Sequence, residues 1–138
     1  MEFLRSVGCI IKESALYSTT PVGMPLGTDM FLNQAVVLNC PDEPEALLRK
    51  IKEFERRMGR DLKNSHYADR TIDIDILLAE RKVLDTGELI IPHPRMDSRA
   101  FVLIPLAEIA PDAFHPILEK TVASLLALLK TTEKVEKL

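Results

Sequence analysis

The chain of 138 residues lacks features that mark several common classes of protein. It has no basic excess, since its net charge is −3, and this argues against a general nucleic-acid binder. No apolar run approaches the roughly 20 residues that span a bilayer. The first residues also lack the basic segment and apolar stretch of a signal peptide. We therefore expect a cytoplasmic protein without membrane or nucleic-acid partners.

Cysteine is also scarce. Cys9 and Cys40 are the only two, and neither lies in a CxxC or metal-ligand spacing, so we expect buried thiols rather than a disulfide or zinc site. The phosphate-binding signatures GxxxxGKS and GxxxxGKT are absent, so any nucleotide must be held by side-chain cations and a metal ion. The remaining composition, 46% hydrophobic and 28% charged, is that of an ordinary globular protein, and the length suits one domain.

The most distinctive stretch runs from Arg70 to Leu78 and alternates isoleucine with aspartate at its centre. This period of two predicts a strand whose isoleucines face the core while Asp73 and Asp75 share the opposite face. Two such carboxylates lie roughly 7 Å apart, close enough to bind one or two divalent cations. Aspartate is a poor strand former, and such local conflicts concentrate at functional sites. A half-exposed strand with a polar outer face shows the same alternation, so both interpretations stay open on these residues.

Patterning elsewhere predicts a mixture of helices and strands. The predicted strands cover Cys9–Tyr17, Phe31–Leu38 and a hairpin over Lys82–Pro92 that turns near Gly87. The predicted helices cover residues 3–7, a segment capped by Asp42 and ended by Gly59, a short segment entered at Pro105, and Lys120–Lys130. The segment 19–27, rich in proline and glycine, is predicted to be a loop, and the tail from Thr131 to be frayed.

A second predicted loop joins the Asp42 helix to the aspartate stretch. Its cations are Arg60, Lys63, His66 and Arg70. A solvated connection is the commoner outcome for a charged loop. Alternatively these cations face polyphosphate held by an aspartate-bound metal, because phosphoryl transfer depends mainly on positioning and charge stabilisation.

Taken together, the motifs resemble those of the 6-hydroxymethyl-7,8-dihydropterin pyrophosphokinase family of folate biosynthesis. The resemblance covers most of the chain, from about Ser14 to Ala110, and rests on the order and intervals of the fragments. These fragments are Leu16 to Gly23, Phe31 to Asn33, Phe54 with Glu55, Met58 to Arg60, Arg70 to Leu78, Ile91 to Pro94, and Arg99 to Leu103 with Pro105 and Leu106.

The resemblance implies an α+β, ferredoxin-like sandwich with helices packed on a mainly antiparallel sheet. It also implies transfer of the β,γ-pyrophosphoryl group of ATP to the pterin hydroxymethyl group, with release of AMP. The implied catalytic residues are Arg60, Arg70, Asp73 and Asp75, of which the two aspartates would hold two Mg²⁺ ions. The implied ATP contacts are Glu55, Lys63, Ile76, His93 and Arg99. The implied pterin contacts are Thr19, Thr20, Val22, Phe31, Asn33 and Phe101, and the loops 19–29 and 61–69 would close over the substrates.

The sequence departs from the family pattern at three places. The family begins with a strand, a Gly-Ser-Asn turn and a helix, whereas Met1 falls inside that helix. We therefore expect one domain over residues 1–138 without this strand, and unpaired strands beside the gap. His66-Tyr67 stands where the family has Arg-Trp, and Asp69 replaces a proline. A non-catalytic nucleotide- or pterin-binding domain on the same scaffold and a different nucleotide-dependent kinase are the alternatives, and the oligomeric state stays open.

Overall fold

The chain combines helices with short antiparallel strands. The computed structural model describes residues 1–20, 31–63, 72–131 and 133–138, with the side chains of residues 20 and 60–63 excepted. Every strand pairing among these residues is antiparallel. The predicted α+β class with a mainly antiparallel sheet is therefore confirmed.

Four α-helices, one 3-10 helix (Met96–Ser98) and nine strands follow one another in the described ranges. The helices are α1 (Glu2–Val7), α2 (Pro44–Lys63), α3 (Ala100–Ile109) and α4 (Val122–Leu128). The strands are β1 (Cys9–Glu13), β2 (Tyr17–Thr20), β3 (Phe31–Asn33), β4 (Val36–Asn39), β5 (Leu84–Asp85), β6 (Ile90–Ile91), β7 (Phe114–His115), β8 (Lys120–Thr121) and β9 (Lys134–Lys137).

The strands form one sheet of three strands and three sheets of two strands each. β2 lies between β3 and β9, while β1 pairs with β4, β5 with β6, and β7 with β8. The predicted hairpin over Lys82–Pro92 is confirmed by the β5–β6 ladder, whose turn contains Gly87 at a φ of 85°. Gly8 separates α1 from β1, and a Cβ there would lie 2.5 Å from the carbonyl oxygen of Asn39. This close approach of two backbones explains the glycine at that turn.

The core lies between the β4 region, α3 and α4. Its buried side chains are Ala35, Met96, Leu103, Leu106, Ile109, Val122 and Leu125. Outside this cluster, the Phe3 ring stacks on the Phe54 ring with 4.3 Å between the ring centroids, and this contact joins α1 to α2. Within the described ranges, none of the helices combines the length and apolar character that crossing a bilayer requires.

The prediction of a strand over Arg70–Leu78 is wrong for its described part, residues 72–78. No strand elsewhere in the described ranges pairs with these residues, and a strand needs a neighbouring strand for its backbone groups. Leu77 and Leu78 nevertheless pack against the core, and Asp73 and Asp75 are exposed. The isoleucines do not form the predicted core-facing row: Ile72 is 44% exposed, and Ile74 and Ile76 are half-buried.

Helix positions were predicted well, and helix boundaries less well. The helices near residues 3–7 and Lys120–Lys130 are confirmed, and Thr121 caps α4 by accepting the Ser124 N–H at 3.2 Å. α2 continues four residues beyond the predicted end at Gly59. It begins at Pro44, so Asp42 is not its N-cap, and the Asp42 carboxylate instead accepts a hydrogen bond from Lys50 Nζ at 2.6 Å.

Three further predictions require correction. α3 begins at Ala100 rather than at Pro105, which lies inside it. The structure divides each of the predicted strands Cys9–Tyr17 and Phe31–Leu38 into two. Ser14 lies in the interruption between β1 and β2, and its hydroxyl accepts the N–H of Ala35, which lies in the interruption between β3 and β4. Ser14 thereby satisfies a backbone donor that leaves the ladder.

The predicted frayed tail instead contains β9, and the predicted loop 19–27 begins inside β2. The free thiol of Cys9 is exposed and that of Cys40 half-buried, so the prediction of buried thiols is wrong for Cys9. Residues 61–63 of the predicted loop 61–69 belong to α2, and the other six residues lie outside the described ranges, as do residues 21–29 of the loop 19–29.

Candidate active site

One face of α2 forms a wall of an open cleft with a volume of about 300 Å³. Leu48, Lys52 and Glu55 lie at positions i, i+4 and i+7 of the helix, and this spacing brings all three to the same side. The other lining residues come from residues 72–78, which we call the aspartate segment, from the β5–β6 hairpin and from the turn after it. They are Asp73, Ile74, Asp75, Ile76, Gly87, Glu88, Leu89, Ile90, His93 and Pro94.

The aspartate segment is held from both sides by hydrogen bonds to its backbone. Glu55 Oε2 accepts the N–H of Ile74, which lies between the two aspartates, at 2.9 Å. Further along, the Leu77 carbonyl oxygen accepts the N–H of His93 at 2.9 Å. These contacts take the place of a strand neighbour on part of the segment, and they fix the backbone from which Asp73 and Asp75 extend.

The two aspartates suit a magnesium ion that is shared with a phosphate ligand. Both carboxylates line the cleft and are exposed, and no salt bridge among the described side chains includes either of them. No group of three or more histidine, cysteine or acidic side chains in the described part of the chain converges as a metal cage. Mg²⁺ binds through one or two carboxylates together with phosphate oxygens and water, so this donor set fits it.

His93 lies on the same wall as the aspartates and is half-buried. Burial lowers its pKa; the Asp75 carboxylate opposes this effect, and Arg99 and Arg95 add to it. Its Nδ1 accepts the N–H of Arg95 at 3.2 Å. A neutral imidazole in this arrangement carries its proton on Nε2, and we expect the neutral form at pH 7.

A second group of predicted residues lies on β2 and β3, and we call Thr19, Phe31 and Asn33 the strand platform. Asn33 Nδ2 donates a hydrogen bond to Thr19 Oγ1 at 2.8 Å, while Phe31 lies opposite Thr19 in the ladder and is 64% exposed. At the start of α3, the Arg99 guanidinium lies over the Phe101 ring, 5.5 Å from its centroid.

The structure thus places the predicted residues in two neighbourhoods. Glu55, Asp73, Asp75, Ile76 and His93 meet at the cleft. The strand platform lies on β2 and β3, and Phe101 begins α3 next to Arg99, whose charge acts on His93. Arg70 and Val22 lie outside the described residues, as do the side chains of Thr20, Arg60 and Lys63.

Eight residues of the cleft were not predicted as site residues: Leu48, Lys52, Ile74, Gly87, Glu88, Leu89, Ile90 and Pro94. Among them, Lys52 and Glu88 carry charges and are exposed, whereas Leu48 is half-buried. Lys52 could have been found, because it lies one helical turn before Glu55 on the same side of α2. Glu88 carries no such signal, because only the pairing of β5 with β6 brings its turn to the cleft.

Known proteins resemble the chain over most of its length. The sequence profile described as 7,8-dihydro-6-hydroxymethylpterin-pyrophosphokinase (HPPK) matches residues 1–111. A 2-amino-4-hydroxy-6-hydroxymethyldihydropteridine pyrophosphokinase of Bacillus subtilis is 43% identical over 100 residues, which are 72% of this chain and 59% of the relative. The protein of the same name from Pseudomonas aeruginosa is 38% identical over 107 residues, 78% of this chain and 65% of that protein.

A third relative is the folic acid synthesis protein fol1 of Pneumocystis carinii, which is 36% identical over 115 residues. These residues are 83% of this chain but only 15% of that protein. The chain therefore spans less than two thirds of the length of each of these relatives. Because the family profile covers most of the chain, the protein belongs to the 7,8-dihydro-6-hydroxymethylpterin pyrophosphokinase family.

Proposed function

We propose that the chain transfers the β,γ-pyrophosphoryl group of ATP to 6-hydroxymethyl-7,8-dihydropterin, a step of folate biosynthesis, and releases AMP. The observation that carries this proposal is the pair of exposed carboxylates, Asp73 and Asp75, on a cleft wall held by Glu55. Membership of the pyrophosphokinase family supports the choice of reaction. A single domain over residues 1–138 and a cytoplasmic location are parts of the same proposal.

In the proposed mechanism, Asp73 and Asp75 would hold two Mg²⁺ ions, to which the triphosphate of ATP would also bind. Bound Mg²⁺ neutralises phosphate charge and orients the transferring group. Glu55 keeps the two carboxylates in place through the backbone of Ile74, so their geometry is set before substrate binds. His93, neutral and protonated on Nε2, donates a hydrogen bond to a phosphate oxygen.

Cationic side chains complete the site for the transferring group. Arg60 and Arg70 neutralise the charge that develops during transfer, while Lys63 and Arg99 help to hold ATP. The backbone around Ile76, which lines the cleft, contacts the nucleotide. Phosphoryl transfer gains most of its rate from such positioning and charge stabilisation, and the described part of the site already supplies the carboxylates for it.

The proposed pterin site uses the strand platform and the start of α3. The ring stacks between Phe31 and Phe101, and Asn33 pairs with its polar edge. The bond from Asn33 Nδ2 to Thr19 Oγ1 orients the amide, so its carbonyl oxygen and remaining N–H hydrogen are presented in a fixed direction. The backbone of Thr20 and Val22 supplies the remaining edge contacts in this proposal.

The direct test is AMP release from Mg-ATP, measured with and without 6-hydroxymethyl-7,8-dihydropterin on protein of confirmed intact mass. Pterin-dependent AMP, matched by an equal amount of pterin diphosphate, is the expected result. Mg-dependent ATP binding without turnover would instead favour a non-catalytic nucleotide-binding domain. Turnover that requires an acceptor other than the pterin would indicate a different nucleotide-dependent kinase.

A further inference from the structure

The carboxylate of Glu108 on α3 contacts three residues that the proposed mechanism does not use. Its Oε1 accepts the hydroxyl of Tyr17 at 2.5 Å, and its Oε2 accepts the N–H of Ala15 at 2.8 Å. Lys137 Nζ on β9 lies 3.5 Å from Oε1. The bonds from Tyr17 and Ala15 lower the pKa of Glu108, and the bond to Glu108 raises the pKa of Tyr17. One ionised carboxylate therefore connects α3 to β2 and β9.

Tyr17 shares one side of the sheet with the strand platform. In the β2–β3 ladder, Tyr17 lies opposite Asn33 and Thr19 lies opposite Phe31. Directly opposed residues of an antiparallel pair point to the same face, as do residues two apart on one strand. Tyr17 and Thr19, each 6% exposed, are therefore the buried members of the row that carries the proposed pterin contacts, and Phe31 is its exposed member.

Glu108 lies on the side of α3 that also carries Phe101. The two residues are seven apart, which in an α-helix is about 10.5 Å of rise and only about 20° of rotation. Between them, Pro105 is buried along the same side. The bond from Tyr17 to Glu108 is thus one contact that fastens the platform side of the sheet to the Phe101 side of α3.

We propose that Tyr17 and Glu108 are positioning residues that set the distance between the strand platform and Phe101. This inference rests on the proposed function, since it concerns the pterin site of the same enzyme. A planar ring held between two aromatic side chains needs them roughly 7 Å apart, twice the contact distance of carbon atoms. The bond from Tyr17 to Glu108, two helical turns from Phe101, holds that separation in the absence of substrate. Less free energy is then needed to order the site when the pterin binds.

The test is Tyr17→Phe, which removes one hydroxyl and leaves the ring. We expect the Kd for 6-hydroxymethyl-7,8-dihydropterin, titrated calorimetrically with Mg²⁺ and a non-hydrolysable ATP analogue, to rise about five- to tenfold. The Kd for the ATP analogue alone should stay within twofold of wild type. In the ligand-free protein, the amide signals of residues 31–33 and 101 should shift.

Thr121→Ala is the matched control, because it removes another structural hydroxyl, which accepts the Ser124 N–H at the cap of α4 and donates to Ser124 Oγ. It should lower the melting temperature about as much as Tyr17→Phe does. It should change neither the pterin Kd nor the amide signals of residues 31–33 and 101, which we call the platform signals. The inference is overturned if Tyr17→Phe leaves the platform signals at their wild-type positions, or if Thr121→Ala raises the pterin Kd equally. Wild-type protein that binds no pterin contradicts the proposed function, and the ligand-free signals then decide the positioning role by themselves.

Discussion

Replacing Glu55 tests how the carboxylate site is built. In Glu55→Ala the N–H of Ile74 loses its acceptor, and the segment that carries Asp73 and Asp75 loses its link to α2. A partly exposed hydrogen bond to a charged acceptor contributes about 1 kcal/mol to the free energy of unfolding, so the melting temperature should fall by about 3–6 °C. A displacement of about 1 Å in the aspartates should lower kcat by on the order of 100-fold.

Steady-state kinetics distinguish this positioning role from the direct ATP contact that the sequence predicted for Glu55. Loss of positioning lowers kcat and raises the Mg²⁺ concentration needed for half-maximal rate, while the KM for ATP changes less than about threefold. Loss of a direct contact that is equal in ground and transition states raises the KM for ATP and leaves kcat unchanged. The second pattern would refute the reasoning above.

Glu53→Ala is the matched control, since Glu53 lies on α2 two residues earlier. Its carboxylate pairs with Arg56 and with Arg57, the latter at 3.2 Å, on an exposed surface of the helix. Such pairs contribute roughly 0.3–0.5 kcal/mol each, so the variant should be slightly less stable and fully active. An equal loss of kcat in Glu53→Ala would mean that activity is lost because the whole of α2 is perturbed, and not because the bond from Ile74 to Glu55 is missing.

Three further predictions concern other parts of the chain. Asp75→Ala should abolish pterin-dependent AMP release with little change in melting temperature, because the exposed carboxylate makes no salt bridge to another described side chain; wild-type turnover would contradict its metal role. Burial lowers the pKa of His115 and His93, so the free energy of unfolding should fall as pH drops below about 6.5, since only the unfolded chain then takes up the protons. His115→Asn, which keeps an acceptor for the Leu118 N–H, should reduce this slope in urea titrations, and an unchanged slope would exclude His115 as a source. Deleting residues 134–138 should destabilise the protein and weaken pterin binding more than ATP binding, whereas a frayed tail could be lost without effect.

The sequence predicted the class of fold through the family resemblance, and it predicted the exposure of Asp73 and Asp75 through their alternation with isoleucine, although Ile72 is also exposed. It did not predict that residues 72–78 lack a ladder, since pairing depends on which distant segments come to lie alongside. The end of α2 was placed too early at Gly59. One glycine costs a helix only about 1 kcal/mol, and three of the four helical residues after it, Arg60, Leu62 and Lys63, are good helix formers.

The tail shows a different limit of sequence reasoning. The charges of Lys134 and Lys137 indicated a solvated end, yet strand pairing uses backbone groups that every such residue has. The bond from Glu55 to Ile74 was also outside the reach of sequence, because it joins a side chain to a backbone group 19 positions away. The sequence therefore identifies the kinds of residue at the site, and the structure shows which distant segments contact one another there.

The pairing of β9 with β2 has a consequence for how the protein folds. Thr19 lies opposite Val135, so a ladder that flanks the strand platform joins residues from nearly opposite ends of the chain. Contacts of such long sequence separation form slowly, because the intervening chain must lose its freedom before they bring any gain. During synthesis, β2 must wait for β9 until the residues up to Lys137 have left the ribosome, and its unpaired edge is open to other chains in that interval.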